Sequence, residues 1–192
     1  REAAPMFESD AGALGASTRE STERIDFGAN IRRSVAQLSD TQLSLAVGAV
    51  LFAVGAWPIA LTEVPPYQDL PNHLAAVSIM RNLGAYPEFV FNGFAKTNAA
   101  LFTWLFFVGK VVGTNLAARL FALIVCAANA MLLPLFVAHF GGRKRMLVAS
   151  AFLWPMVHNW FVSMGMLDFA LAVPLSCALL VLLDKYRVAP SL

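Results

Sequence analysis

Asp69 and His73 stand four residues apart around a proline-led turn, in Tyr67-Gln68-Asp69-Leu70-Pro71-Asn72-His73-Leu74. A carboxylate and an imidazole at this spacing can point to one side. There they could bind a divalent cation or move a proton. Asp168 opens a later apolar run, and His158-Asn159-Trp160-Phe161 lies shortly before it. An acid at the edge of an apolar run is costly against lipid, so Asp168 is expected to face a cavity or a partner. The structural alternatives are that Asp69 caps the helix that follows and that His73 simply lies at an interface. On spacing alone, those alternatives are the stronger reading.

The elements that hold these residues follow from composition. The chain has 192 residues, 58% hydrophobic and 14% charged. Soluble domains average about 45–50% apolar and about 25% charged. Mean hydropathy is +0.65. These values exclude an ordinary soluble domain and disorder along the whole chain. Two cysteines, Cys126 and Cys177, exclude a disulfide scaffold. A net charge of +2 gives no nucleic-acid footprint. An all-α, polytopic membrane protein remains.

Four charge-poor runs are expected to cross: about 43–62, 116–139, 146–162 and 167–183. At about 1.5 Å per residue, a run of twenty spans about 30 Å of hydrocarbon. Residues 1–40 read as a solvated cytoplasmic tail, with a short amphipathic helix over 22–38. No apolar core of signal-peptide length lies in it. Residues 63–115 form the one long external loop. It is expected to carry interfacial helices over about 72–83 and 98–112, the second with Phe102, Trp104, Phe106 and Phe107 at the headgroups. Were 98–112 to cross, Arg143-Lys144-Arg145 would face outside. With four spans, Arg32/Arg33, Arg143–Arg145 and Lys185/Arg187 all fall on the cytoplasmic side, with both termini. Asp69, His73, His158 and Asp168 then gather at the opposite face.

This order resembles the N-terminal half of the GT-C type of polyprenyl-phosphate-sugar-dependent glycosyltransferases, such as protein mannosyltransferases and bacterial aminoarabinose transferases. The resemblance rests on Tyr67–Leu74, on Ala100-Leu101-Phe102-Thr103-Trp104-Leu105 through Ala117-Ala118-Arg119-Leu120, and on Leu167-Asp168-Phe169. It covers roughly residues 43–187. It implies a multi-pass protein of the bacterial inner (plasma) membrane that transfers sugar at the external face. Asp69 would be the catalytic base or position the acceptor, Asp168 would help to hold a divalent metal or the acceptor, and the two acids are together the catalytic and metal-binding candidates. His73, His158, Lys96 and Arg119 are the candidates for substrate binding, and Arg81 and Lys110 are further cations that could touch a phosphate.

Such enzymes have more spans than four, so the chain is expected to be a fragment or a truncated relative. The alternative is a non-catalytic accessory subunit of a larger membrane complex. Small residues in the spans (Ala117, Ala118, Ala122, Ala127, Ala128 and Ala130) would let its helices pack closely. Expected partners are membrane lipids, a polyprenyl-phosphate sugar or other membrane subunits. A transporter fragment is suggested by Pro134, Pro155 and Pro174 within spans, but no charge lies at mid-depth.

Overall fold

A computed structural model describes residues 27–95 and 99–188. They form helices α1 (Phe27–Gln37), α2 (Asp40–Leu61), α3 (Leu70–Arg81), α4 (Ala100–Val112), α5 (Thr114–Val157), α6 (Trp160–Met164) and α7 (Leu167–Val188), with no strand among them. The chain divides into two compact units, residues up to Ala36 and residues from Gln37 onward. In the first, α1 places Ile31 and Val35 one turn apart, both exposed. The start of the expected 22–38 helix lies outside the described residues.

In the second unit, α2 opens with a capping box. The Ser39 hydroxyl accepts from the Gln42 N–H at 3.2 Å, and Gln42 Oε1 accepts from the Ser39 N–H at 2.9 Å. These bonds satisfy two donors that a helix start leaves unpaired. The long α5 is broken at Gly142, where φ is 75° and ψ is 172°. Only glycine adopts that backbone readily.

The contacts show which way each segment runs. Arg119 in the first arm of α5 donates to the Thr62 carbonyl at 3.0 Å, at the C-terminal end of α2. Arg143, just past the break, donates to the Leu38 carbonyl at 3.1 Å, before α2 begins. The first arm is therefore antiparallel to α2. The second arm turns back along it, and Val157 comes beside Gly55. Next, α7 descends: Asn129 reaches the Ala170 carbonyl at 3.2 Å, and His139 meets Asp184 at 2.9 Å.

Among the described residues, three helical segments are long and apolar enough to cross a membrane: α2, α5 continued through α6, and α7. The reversal at Gly142 makes four legs of these three. One end of the bundle holds Leu38, Gly142, His139 and Asp184. The other holds Thr62, Asp69, Met164 and Asp168. The expected loop at 141–145 is replaced by a single backbone inversion. The third leg is two short pieces, because His158 ends α5 and the Asn159 side chain starts α6 by accepting from the Val162 N–H at 3.1 Å.

Helix α3 begins at Leu70, earlier than expected, because Pro71 fits a first turn whose N–H has no helical partner. Helix α4 is not simply a surface helix. Leu101 and Leu105 are buried, and the Trp104 indole N–H turns inward to the Ala117 carbonyl at 2.8 Å. Trp104 is partly buried, while Phe107 is exposed.

Close approach along the long axis depends on small residues. Ala117, Ala118, Ala122 and Ala130 are fully buried, whereas Ala127 and Ala128 are half-exposed. A Cβ on Gly48 would lie 2.7 Å from the Ala130 carbonyl oxygen, and one on Gly55 would lie 2.7 Å from Val157 Cγ1. Backbone cannot yield as a flexible side chain can. Gly48→Ala is therefore expected to destabilise by about 1–3 kcal/mol. Gly84→Ala, with nothing within 4 Å of the added carbon, should be close to neutral. Thermal unfolding in mild detergent compares the two, and equal melting points would contradict this account of the α2–α5 contact.

Candidate functional site at the acid-bearing end

Three prolines set up the entry to this end. Pro65 and Pro66 lead into a turn at Gln68 and Asp69, with Asp69 in the helical region (φ −91°, ψ −7°), and Pro71 lies in the first turn of α3. That segment docks on the α6–α7 junction through its main chain. The Gln68 N–H donates to the Ser163 carbonyl at 3.3 Å, and the Asp69 N–H to the Met164 carbonyl at 3.0 Å. Gly165, with φ of 85°, makes room for it: a Cβ there would sit 3.2 Å from the Leu70 nitrogen.

Asp69 occupies the N-cap position of α3, yet its carboxylate makes no cap hydrogen bond. The simple expectation that Asp69 is a helix cap is therefore corrected. Its main chain is fixed on both sides, since its carbonyl accepts from the His73 N–H at 3.2 Å. Its side chain is half-buried and forms no hydrogen bond or ion pair among the described residues.

Asp168 is the cap, but for a different helix. Its Oδ1 accepts from the Leu101 N–H at 2.9 Å, in the first turn of α4. It also lies in the first turn of α7. One carboxylate thus sits at two helix N-termini, where the partial positive charge of each favours it. His73 is close enough to act electrostatically on this carboxylate. The His73 ring stands edge-on to Phe102, with centroids 5.1 Å apart. Asp168 faces a pocket of about 460 Å³ with Thr103 and Leu171. A larger one, about 550 Å³ and mostly apolar, adjoins it through the shared residues Phe94 and Ala99, with Met80, Phe91 and Phe102 in its wall.

The other expected site residues separate. His158 packs edge-on against Tyr67, with centroids 5.9 Å apart. Arg119 holds the end of α2 and lines a different pocket, of about 530 Å³, with Glu63. Lys96 lies outside the described residues. Among those described, no group of three or more His, Cys, Asp and Glu is placed to hold a metal ion. Asp69 and Asp168 do not make a metal centre by themselves.

Two further residues at this end have structural roles that their spacing does not reveal. Arg81 is one of the cations that could touch a phosphate by type, but both of its terminal nitrogens are engaged, while its Nε is buried without a partner among the described residues. Nη1 reaches Thr114 Oγ1 at 3.0 Å, and Nη2 reaches the Leu105 and Phe106 carbonyls at 2.6 and 2.9 Å. It clamps α3, α4 and α5 together. Tyr67 is 4% exposed, and its hydroxyl has no partner. Burial, with Cys126 nearby as the lesser cause, raises the phenol pKa well above its ordinary value. It stays protonated, so its O–H remains available as a donor. A Tyr between prolines was the available signal for the second residue; nothing local marks the first.

Comparison with known protein families, curated proteins and solved structures finds no match.

If Asp168 acts as a cross-helix cap, an oxygen acceptor matters more than its charge. Asp168→Ala is expected to cost about 0.5–2 kcal/mol, while Asp168→Asn, which keeps an Oδ1, should lose a smaller part of that. Melting curves for the two variants check this, and an equal loss would mean that the charge is what counts.

Proposed function

We propose that the acid-bearing end is the acceptor-activating part of a site that transfers a sugar from a polyprenyl-phosphate carrier, at the external face of a bacterial inner membrane. The observation that carries this reading is the state of Asp69. It is a carboxylate on a main chain pinned from both sides, at a cap position, with no cap bond to occupy it.

The chemistry is a displacement at the anomeric carbon. An acceptor hydroxyl oxygen bonds to that carbon as Asp69 takes its proton. The bond from carbon to the carrier phosphate oxygen breaks, and the phosphate leaves with the electron pair. General-base assistance of this kind contributes about 10²–10⁴-fold. Asp168 is fixed by the Leu101 N–H, and His73 packs edge-on against Phe102, which lines the apolar pocket. We assign the isoprenoid stem to that pocket, whose wall is largely Phe, Met, Ile and Leu. We assign acceptor binding to His158, which packs against Tyr67 two residues before Asp69. No step here requires a metal.

A non-catalytic accessory subunit would retain the same helix caps but would have no need of a free acid at Asp69. In membranes carrying the protein, Asp69→Asn should lower glycolipid transfer by about 10²-fold or more, with melting temperature and expression unchanged. Undiminished transfer by that variant would favour the accessory role instead.

A further inference from the structure

We propose that the opposite end of the bundle binds an anionic phospholipid of the surrounding leaflet, in the groove between the first arm of α5 and α7. Phe136, Phe140, Leu180, Leu183, Asp184 and Arg187 line a pocket there of about 400 Å³. Phe136 and Phe140 are one turn apart on α5. Leu180, Leu183 and Arg187 follow at helical spacing on one side of α7. The groove is therefore graded: aromatic and leucine walls towards the middle of the bundle, and charge at its mouth. This is the profile of a lipid, with an acyl stem within and a phosphate at the level of the last turn.

The charge at this end selects the headgroup. Arg143, Lys144, Arg145, Lys185 and Arg187 gather around the Gly142 reversal and the C-terminal turn of α7. The stem of Arg145 lies across Gly141, the neighbour of Phe140: a Cβ on Gly141 would meet it at 3.2 Å. Glycine there lets the long side chain cross beside the groove with its head exposed. Asp184 would repel a phosphate, but its Oδ2 is paired with His139 Nε2 at 2.9 Å. The His139 ring is held edge-on to Phe140, with centroids 4.7 Å apart. The acid is thus turned towards histidine, and the basic side chains dominate the mouth. Each Lys or Arg near an anionic surface adds a modest, additive attraction.

The site lies at the far end from Asp69, so it stands or falls independently of the glycosyl-transfer reading. The protein is purified in mild detergent, then exposed to phosphatidylglycerol or to phosphatidylcholine with the same acyl chains. Retained lipid is counted by native mass spectrometry. Wild-type protein is expected to retain phosphatidylglycerol roughly fivefold or more over phosphatidylcholine. Arg187→Gln should lower that preference by roughly fivefold. Leu183→Trp, which fills the groove without changing charge, should lower retention of both lipids while the melting temperature holds. Equal retention of the two lipids by the wild type would overturn the proposal. So would unchanged phosphatidylglycerol retention in both variants.

Discussion

In an apolar medium, helix ends have no water to satisfy their unpaired N–H and C=O groups, and each orphan costs several kcal/mol. A chain with 26 charged residues among 192 has few groups to satisfy them with. The bundle uses those few at helix ends and turns. Arg119 takes the Thr62 carbonyl where α2 stops. Asp168 takes the Leu101 N–H where α4 starts. Arg81 takes the Leu105 and Phe106 carbonyls near the end of α4. Arg143 takes the Leu38 carbonyl before α2 begins. Each bond joins segments far apart in sequence. The same contacts that satisfy the backbone therefore also fix the topology, which is why the four legs can be ordered from them.

This use of charge changes what counts as a candidate for chemistry. Arg81, Arg119 and Asp168 look functional by residue type but already serve the backbone. Asp69 does not. Its main chain contributes the structural bonds at its position, through Met164 and His73, and the carboxylate is left over. The carboxylate is partly exposed, so water can satisfy it, and it stays available at a main chain that is already fixed. That contrast between Asp69 and Asp168 could not be drawn from their types, since both are acids at the border of an apolar run.

The helical, membrane-embedded character was legible because long apolar runs outweigh any local signal. The positions of α2 and α7 followed from where the charge stops. The third leg was harder. Glycines 141 and 142 before three basic residues read as a loop, but charge alone does not distinguish a loop from a one-residue inversion with φ of 75°. Helix α4 was ambiguous for another reason: a short apolar run suits a lipid surface and a protein interior equally. Its choice is made by the Trp104 and Arg81 bonds to distant carbonyls. The gathering of His73 and Asp168 at one end followed from topology. The Asp168 bond to Leu101 spans 67 positions and leaves no local trace.

Tyr67 shows how the site-bearing segment is held. Its ring is buried against His158, and its hydroxyl has no partner. Burying an unpaired hydroxyl costs about 1–3 kcal/mol, so phenylalanine would be the more stable choice if the ring only filled space. The ring still does structural work: two residues before Asp69, between Pro66 and Pro71, it anchors a segment that has only two main-chain bonds to the α6–α7 junction. Removing the whole side chain would release that segment, whereas removing the oxygen alone would not. Local cost of this kind is typically kept where a protein performs its function. Here it lies two residues before Asp69, whose side chain the fold does not use.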